Sequence, residues 1–340
     1  MCEELGWLDA VAFRAAPTAG IDRLIRFHDP DYVDALREAD AAGTAGPEAR
    51  ERFGFGTLEN PLFPGVFARA ATAVGGSILA AELALEGRVV FHPAGGTHHG
   101  RPGRASGFCY FNDPVFAIMG FLERGVRRVL YVDLDAHHGD GVQDAFAGNP
   151  AILMISVHED DRWPHTGAAS DAGGGNAFNL PVPAGFNDSE LQFLMDGIVL
   201  PLADAFAPEA VVITCGTDAL DGDPLSRMAL SNGALWSAVE RLVGVAGPAV
   251  VLGGGGYNPW TLARCWTGLW GRLSGREIPT TLPAPVQRIL SDLQCDLVDD
   301  EDVRPQWLTA LIDSPNVGAV RASVRELAAA LEGRRLHELA

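Results

Sequence analysis

Between residues 88 and 252 the chain alternates short apolar runs with longer stretches whose apolar positions recur every three or four residues. The runs 88–91, 128–133, 152–157, 210–214 and 249–252 are dense in Val, Ile and Leu with no polar alternation. That is the pattern of strands covered on both faces, as in a parallel sheet. Segments 67–86, 113–124, 187–206, 231–245, 259–273 and 319–332 carry helical periodicity instead. Asn112 or Asp113 is placed to cap the second of these, and Asp188, Ser189 and Glu190 fall in the first turn of the third. Strand–helix alternation of this kind predicts an α/β fold, one open, mainly parallel sheet with helices on both faces. The whole chain, 1–340, reads as a single domain with its core over about 28–275. A Gly-rich loop is expected over 166–176, and 276–340 as a C-terminal wrap, Pro- and Asp-rich to about 315, followed by a helix.

In such sheets ligands sit beyond the carboxyl ends of the strands. Four predicted strand ends carry conspicuous residues: 92–99, 133–140, 215–218 and 253–257. The densest is Asp133-Leu-Asp-Ala-His-His-Gly-Asp140, three carboxylates and two imidazoles directly after an apolar strand. If the strand persists, alternation puts Asp133, Asp135 and His137 on one face. Acidic groups so crowded call for a cation or a proton partner. Asp135, His137 and Asp218 form a candidate three-ligand metal site with a coordination position left open for water and substrate. A turn-stabilising Asp218 is the plainer alternative.

His98 and His99 stand in a Gly-rich loop and are read either as polar loop residues or as working imidazoles. Asp133 and Asp140 favour the second reading, because each can take the far ring proton of one histidine and raise its basicity. One such pair is a usable general base. Tyr257 follows four glycines without phosphate-loop spacing. The run is either a tight packing loop or a mobile one presenting a phenol to a carbonyl. His28, His158 and His165 are assigned to structure or solvent, and Phe108 and Trp163 to the core or a rim.

Net charge changes the picture modestly. The chain carries −19, and all 25 basic residues are Arg. So acidic a surface argues against nucleic acid as a ligand and would attract cationic substrates. Five cysteines without CxxC spacing read as free thiols of a reducing compartment. With no signal-like N-terminus and no apolar run near the roughly 20 residues that span a bilayer, the expectation is a cytoplasmic protein away from membranes.

At these residues the chain resembles the zinc-dependent histone deacetylase family of the arginase–deacetylase superfamily, especially bacterial acetoin-utilization-type and class I-like members. The matching stretches are Gly-Gly-Thr-His-His-Gly (95–100), Ala-Ser-Gly-Phe-Cys-Tyr-Phe-Asn-Asp (105–113), Val-Asp-Leu-Asp-Ala-His-His-Gly-Asp-Gly (132–141), Gly-Thr-Asp-Ala-Leu-Asp-Gly-Asp-Pro-Leu (216–225) and Gly-Gly-Gly-Gly-Tyr-Asn (253–258). The resemblance implies an amidohydrolase that removes acetyl or other acyl groups from an amine, acyl-lysine or acylpolyamine, by metal-activated water attack. Asp135, His137 and Asp218 would hold one Zn2+. His98 with Asp133 would orient the water, and His99 with Asp140 would act as base and then acid. Tyr257 would polarise the carbonyl. Gly107, Phe108, Trp163 and Leu225 would line a narrow tunnel, and Glu59 would receive substrate amides at its rim. A K+ ion would sit on the carbonyls of Asp133, Asp135 and His137 near Ser156.

Three departures bear on this. Trp163 replaces the usual Phe and His165 the usual Gly, which predicts an altered tunnel. Glu59 stands where Asp is common. The sequence starts inside what would be the family's first helix, so either an edge piece is missing or the start lies upstream. Two other functions compete. An arginase-like two-metal hydrolase needs further carboxylates where Gly139 and Leu220 stand. A non-catalytic acyl-lysine or small-molecule binding protein would have no use for paired acid–base groups.

Overall fold

The computed structural model describes residues 1–8 and 11–338, with side chains through residue 333. Six strands form one wholly parallel sheet: β1 (Val89–His92), β2 (Val129–Asp133), β3 (Ile152–Glu159), β4 (Ala177–Val182), β5 (Ala210–Thr214) and β6 (Ala249–Leu252). Their order is β1-β6-β5-β2-β3-β4. From β2 the chain first builds outward through β3 and β4, then crosses back to lay β5 and β6 on the other side. The order therefore reverses between β2 and β5, and a crevice opens beyond their carboxyl ends.

Alternation sorts the strand side chains between two cores. Leu130 and Val132 join Leu153, Ile155, Val211 and Ile213 on one face. Val129 and Tyr131 join Ile152, Met154, Val212 and Val250 on the other. The first face is covered by the helices Asn232–Val243, Pro259–Leu273 and Ala322–Glu338, together with the 188–206 region. Val66–Ala84, Asp113–Leu122 and Asp140–Phe146 cover the second. The expected open sheet with helices on both faces is what forms.

Several elements depart from the sequence reading. β4 was not foreseen, because Asn176 ends a Gly-rich stretch and Pro181 interrupts the run; as an edge strand it tolerates a residue without an N–H. The helix expected over 187–206 is two α segments, Asp188–Leu194 and Leu200–Phe206, joined by a π turn at Met195–Val199. Pro201 cannot donate to the Gly197 carbonyl, and the helix widens immediately before it. Of the two assignments offered for His158, structure or solvent, burial in β3 selects structure. Against the membrane expectation, Val66–Ala84 is 19 residues long and apolar enough to cross a bilayer by length and composition. Half of it is buried inside the protein, where Ala80, Ala81 and Ala84 pack on Ile118 and Phe121.

The segment after Leu273 packs through Leu282, Val286, Leu290, Trp307 and Leu311 against Trp7 and Trp260. It contains the short helices Ala284–Ser291 and Pro305–Thr309. All five cysteines are free thiols.

Candidate active site

β2 ends at Asp133, so strand alternation does not place Asp135 and His137, contrary to the expectation from sequence. Carboxylate-to-amide turns place them instead. Asp133 Oδ1 accepts the Asp135 amide at 3.1 Å, and Asp135 Oδ1 accepts the His137 amide at 2.9 Å. From the adjacent β5 end, Asp218 Oδ1 accepts the Ala136 amide at 3.0 Å. Each short acidic residue thus folds the backbone that presents the next.

The result is a convergence of Asp135, His137 and Asp218, whose ligand atoms lie within 4.8 Å of one another and are all buried. His137 Nδ1 is 2.9 Å from Asp218 Oδ2 and 3.3 Å from Asp135 Oδ1. Burial and the neighbouring Asp135 push Asp218 up to about 7. Burial opposes charge on His137 as well, yet its bonds to both carboxylates hold its proton up to about 11. Both buried carboxylates face the same imidazole nitrogen, His137 Nδ1. A divalent cation would take the place of a proton on that nitrogen and satisfy both carboxylates, so the donor set of two carboxylate oxygens and an imidazole nitrogen fits a metal.

β1 lies at the far edge of the sheet, and the loop after it crosses β6 to reach this point. Asp113 anchors the loop by accepting from the Gly96 amide at 3.1 Å and the Thr97 amide at 2.8 Å. His98 and His99 then lie side by side, 3.9 Å between ring centroids with their planes inclined at 58°. His98 Nδ1 bonds Asp133 Oδ2 at 2.8 Å, and the same oxygen accepts from the Tyr131 hydroxyl at 2.7 Å. His99 Nδ1 bonds Asp140 Oδ1 at 2.8 Å, while Arg101 holds the other Asp140 oxygen at 2.5 Å. The two pairs differ in charge. Burial disfavours the imidazolium of His98, but Asp133 and Asp135 outweigh it and hold the group up to about 9. For His99 burial and the charge of His98 prevail over Asp140 and push it down to about 3. His98 keeps its proton and His99 stays neutral; burial and the charge of His98 override the rise in basicity expected of the Asp140 pairing, which here fixes the orientation and tautomer of His99.

Two glycines are required by this packing. A Cβ on Gly255 would lie 2.1 Å from Asp218 Oδ2, and its amide donates to Asp135 Oδ2 at 2.6 Å. The glycine run is pinned to both carboxylates rather than loose. A Cβ on Gly139 would lie 2.2 Å from Asp133 Oδ2 and 3.3 Å from His98 Nδ1. No bridging carboxylate can occupy that position beside the His98–Asp133 pair, and Leu220 is buried in the core. The ligands of a second metal are absent among the described residues.

Tyr257 is held by its own amide, which donates to Asp223 Oδ2 at 2.7 Å. Burial, then the charge of Asp218, push its phenol well above the usual range, so it keeps its proton and is available as a donor. Glu59, Gly107, Phe108, Arg162, Trp163, Pro224 and Leu225 line a cleft of about 430 Å³ that ends on His99, His137 and Tyr257. Trp163 packs edge-on to His99 at 4.6 Å between centroids. His165 is not among the lining residues, and its side chain is 64% exposed. The substitution at Trp163 therefore reaches the cleft and that at His165 does not. Glu59, expected to receive substrate amides, already gives Oε1 to the Gly107 amide at 2.7 Å. Ser156, expected near a K+ ion, bonds His158 Nδ1 at 2.9 Å.

A histone deacetylase domain matches residues 1–273. Histone deacetylase 8 from Xenopus laevis is 33% identical over 273 residues, 78% of this chain and 83% of that protein. The chain belongs to the histone deacetylase family. The Bacillus subtilis acetoin utilization protein AcuC is 35% identical over 281 residues, covering 77% of this chain and 72% of its own. A solved HDAC homologue from Aquifex aeolicus superposes with a TM-score of 0.92 at 36% identity, over 97% of this chain and 90% of its own. A solved HDAC homologue complexed with SAHA matches equally well, with a TM-score of 0.92. Family membership makes the chain a hydrolase of the deacetylase type.

For a histone deacetylase relative the sequence reading overlooked several supports. Arg101 and Tyr131 complete the two dyads, Asp113 and Asp223 hold their loops, and Arg162 lines the cleft. Asp113 and Asp223 lie inside the stretches 105–113 and 216–225, and that position is the sequence signal for them. A second cavity of about 1010 Å³ behind the histidines, reaching Arg69, Tyr110 and Trp266, had no sequence signal at all. The second histidine of the 133–140 cluster, His138, bonds Thr166 Oγ1 at 2.8 Å and Gln143 Oε1 at 3.0 Å and is structural.

Proposed function

We propose that this chain is a zinc-dependent deacetylase that hydrolyses the amide of an acylated primary amine. The observation that carries the reading is the pair of adjacent histidines, each bonded through Nδ1 to its own buried aspartate, beside a three-ligand metal site. Asp135, His137 and Asp218 would hold the zinc, which when bound supplies Lewis-acid stabilisation of charge on oxygen. The remaining work falls to the chain's own side chains. His99, its Nδ1 committed to Asp140, receives at Nε2 the proton of a water as that water's oxygen adds to the amide carbon. The Tyr257 hydroxyl donates to the carbonyl oxygen as charge accumulates there. His99 then returns the proton to the leaving nitrogen, the C–N bond breaks, and a carboxylic acid and an amine result. The imidazolium of His98 stabilises negative charge alongside.

The acyl chain would thread between Phe108, Trp163 and Leu225, with the amine's remainder at the mouth. Metal analysis together with turnover of an acetyl-lysine amide tests the proposal. One bound zinc with hydrolysis supports it. Bound metal without turnover of any acyl-amine, acetylpolyamines included, would replace it with a binding function.

A further inference from the structure

We propose that the mouth of the cleft receives the zwitterionic head of a free α-amino acid, so that the substrate is an Nω-acyl diamino acid such as Nε-acetyl-lysine. The inference rests on the deacetylase reading above. Apart from the histidines at its floor, the only charged side chains lining the cleft among the described residues are Glu59 and Arg162, one of each sign. Both are anchored along one edge and uncommitted along the other. Glu59 spends Oε1 on the Gly107 amide at 2.7 Å, which leaves Oε2 available.

Arg162 donates through Nε and Nη2 to both oxygens of Glu159, at 3.0 and 2.8 Å. That leaves the two protons of Nη1 unused. Glu159 is itself buried at the end of β3 and also accepts the Arg227 amide at 2.8 Å. A two-pronged bond to a buried carboxylate fixes the plane of the guanidinium before any ligand arrives. The side chain is still 28% exposed. It is a built cation at the mouth, not a mobile surface charge.

Candidate amines differ in what they bring to this pair. A polyamine offers Glu59 an ammonium but brings another cation to Arg162. Residues inside a peptide bring neither charge. A free diamino acid brings its α-ammonium to Glu59 Oε2 and its α-carboxylate to Arg162 Nη1. The protein's overall charge of −19 draws any polycation toward it. Discrimination therefore has to be local, and Arg162 supplies it.

The test measures kcat/KM of the zinc-loaded protein on Nε-acetyl-lysine, its α-carboxamide and N-acetyl-1,4-diaminobutane. The free acid should be preferred over the carboxamide about tenfold, the scale of one charge-assisted bond at a partly exposed site. Arg162→Gln should bring that ratio close to one, and Arg162→Lys should retain part of it, with thermal melting confirming that both variants fold. Equal kcat/KM for acid and carboxamide in the unchanged protein would overturn the proposal, as would a preference that survives Arg162→Gln. Absence of turnover on all three compounds and on acetyl-lysine peptides is a different result and would remove the deacetylase reading itself.

Discussion

At the floor of the cleft His98, His99, Asp133, Asp135, Asp140 and Asp218 are all buried, and each is bonded to a residue that is itself held in place. At the mouth Glu59 is exposed, Phe108 is 47% exposed, and Trp163 and Leu225 are only half-buried. The floor carries buried charges, which are tolerable only while every partner stays in place. Altering one member strands another. The mouth is partly wet, so side chains there can change at small cost to the fold. On the function proposed above, the contrast separates reaction from selectivity: the floor would fix what is done to an amide, and the mouth would set which amine carries it.

The strongest way to break the floor is to remove a ligand. Asp218→Ala should lose the metal and lower turnover by at least about a thousandfold; elemental analysis and a deacetylation assay check both. Next come the proton groups. His99→Ala should cost about 10²–10⁴ in kcat and Tyr257→Phe about 10²–10³, each with metal content unchanged. Retained activity in either would move the proton work elsewhere.

Gly139→Asp probes whether the floor has room for another carboxylate. The clash with Asp133 should cost about 2–4 kcal/mol of stability, with no second metal bound per chain. Calorimetric melting and metal stoichiometry read the two effects. The smallest effect concerns what supports the floor. His28 bonds the carbonyls of Arg101 and Pro102 through Nδ1, at 3.0 and 3.2 Å, and accepts the Asn112 amide at Nε2. It is therefore neutral, and burial pushes it down to about 4. The unfolded chain, near 6.5, binds the proton first as pH falls. Stability from this group is complete above about pH 6.5, is lost as pH falls, and levels off below about 4, a swing of roughly 3 kcal/mol. Chemical denaturation at several pH values should show a shallower dependence in His28→Gln; an unchanged slope would refute the assignment.

Much of this was legible in the sequence because the strands of a two-face-covered parallel sheet are dense apolar runs, and five of six were read that way. β4, with its Pro181 and glycine-rich approach, was not, since an edge strand need not be apolar throughout. The pairing of His98 with Asp133 and of His99 with Asp140 followed from counting spare carboxylates. The means of presenting Asp135 and His137 did not, because carboxylate-to-amide turns leave no periodic trace. Arg162 escaped notice for a related reason: a single arginine after a strand has no pattern until its buried partner, Glu159, and the cleft beside it are seen together.

Gly139 bears on how this protein can change over generations. The volume a bridging carboxylate would occupy is already filled by Asp133 where it supports His98. A carboxylate introduced at 139 alone would therefore meet Asp133 rather than empty space, and Leu220 would have to change as well. The supporting acid must be withdrawn first, at the expense of His98, before a new ligand could enter. One missing side chain thus ties the support of His98 to the absence of a further ligand at 139, while the side chains at the mouth carry no such linkage.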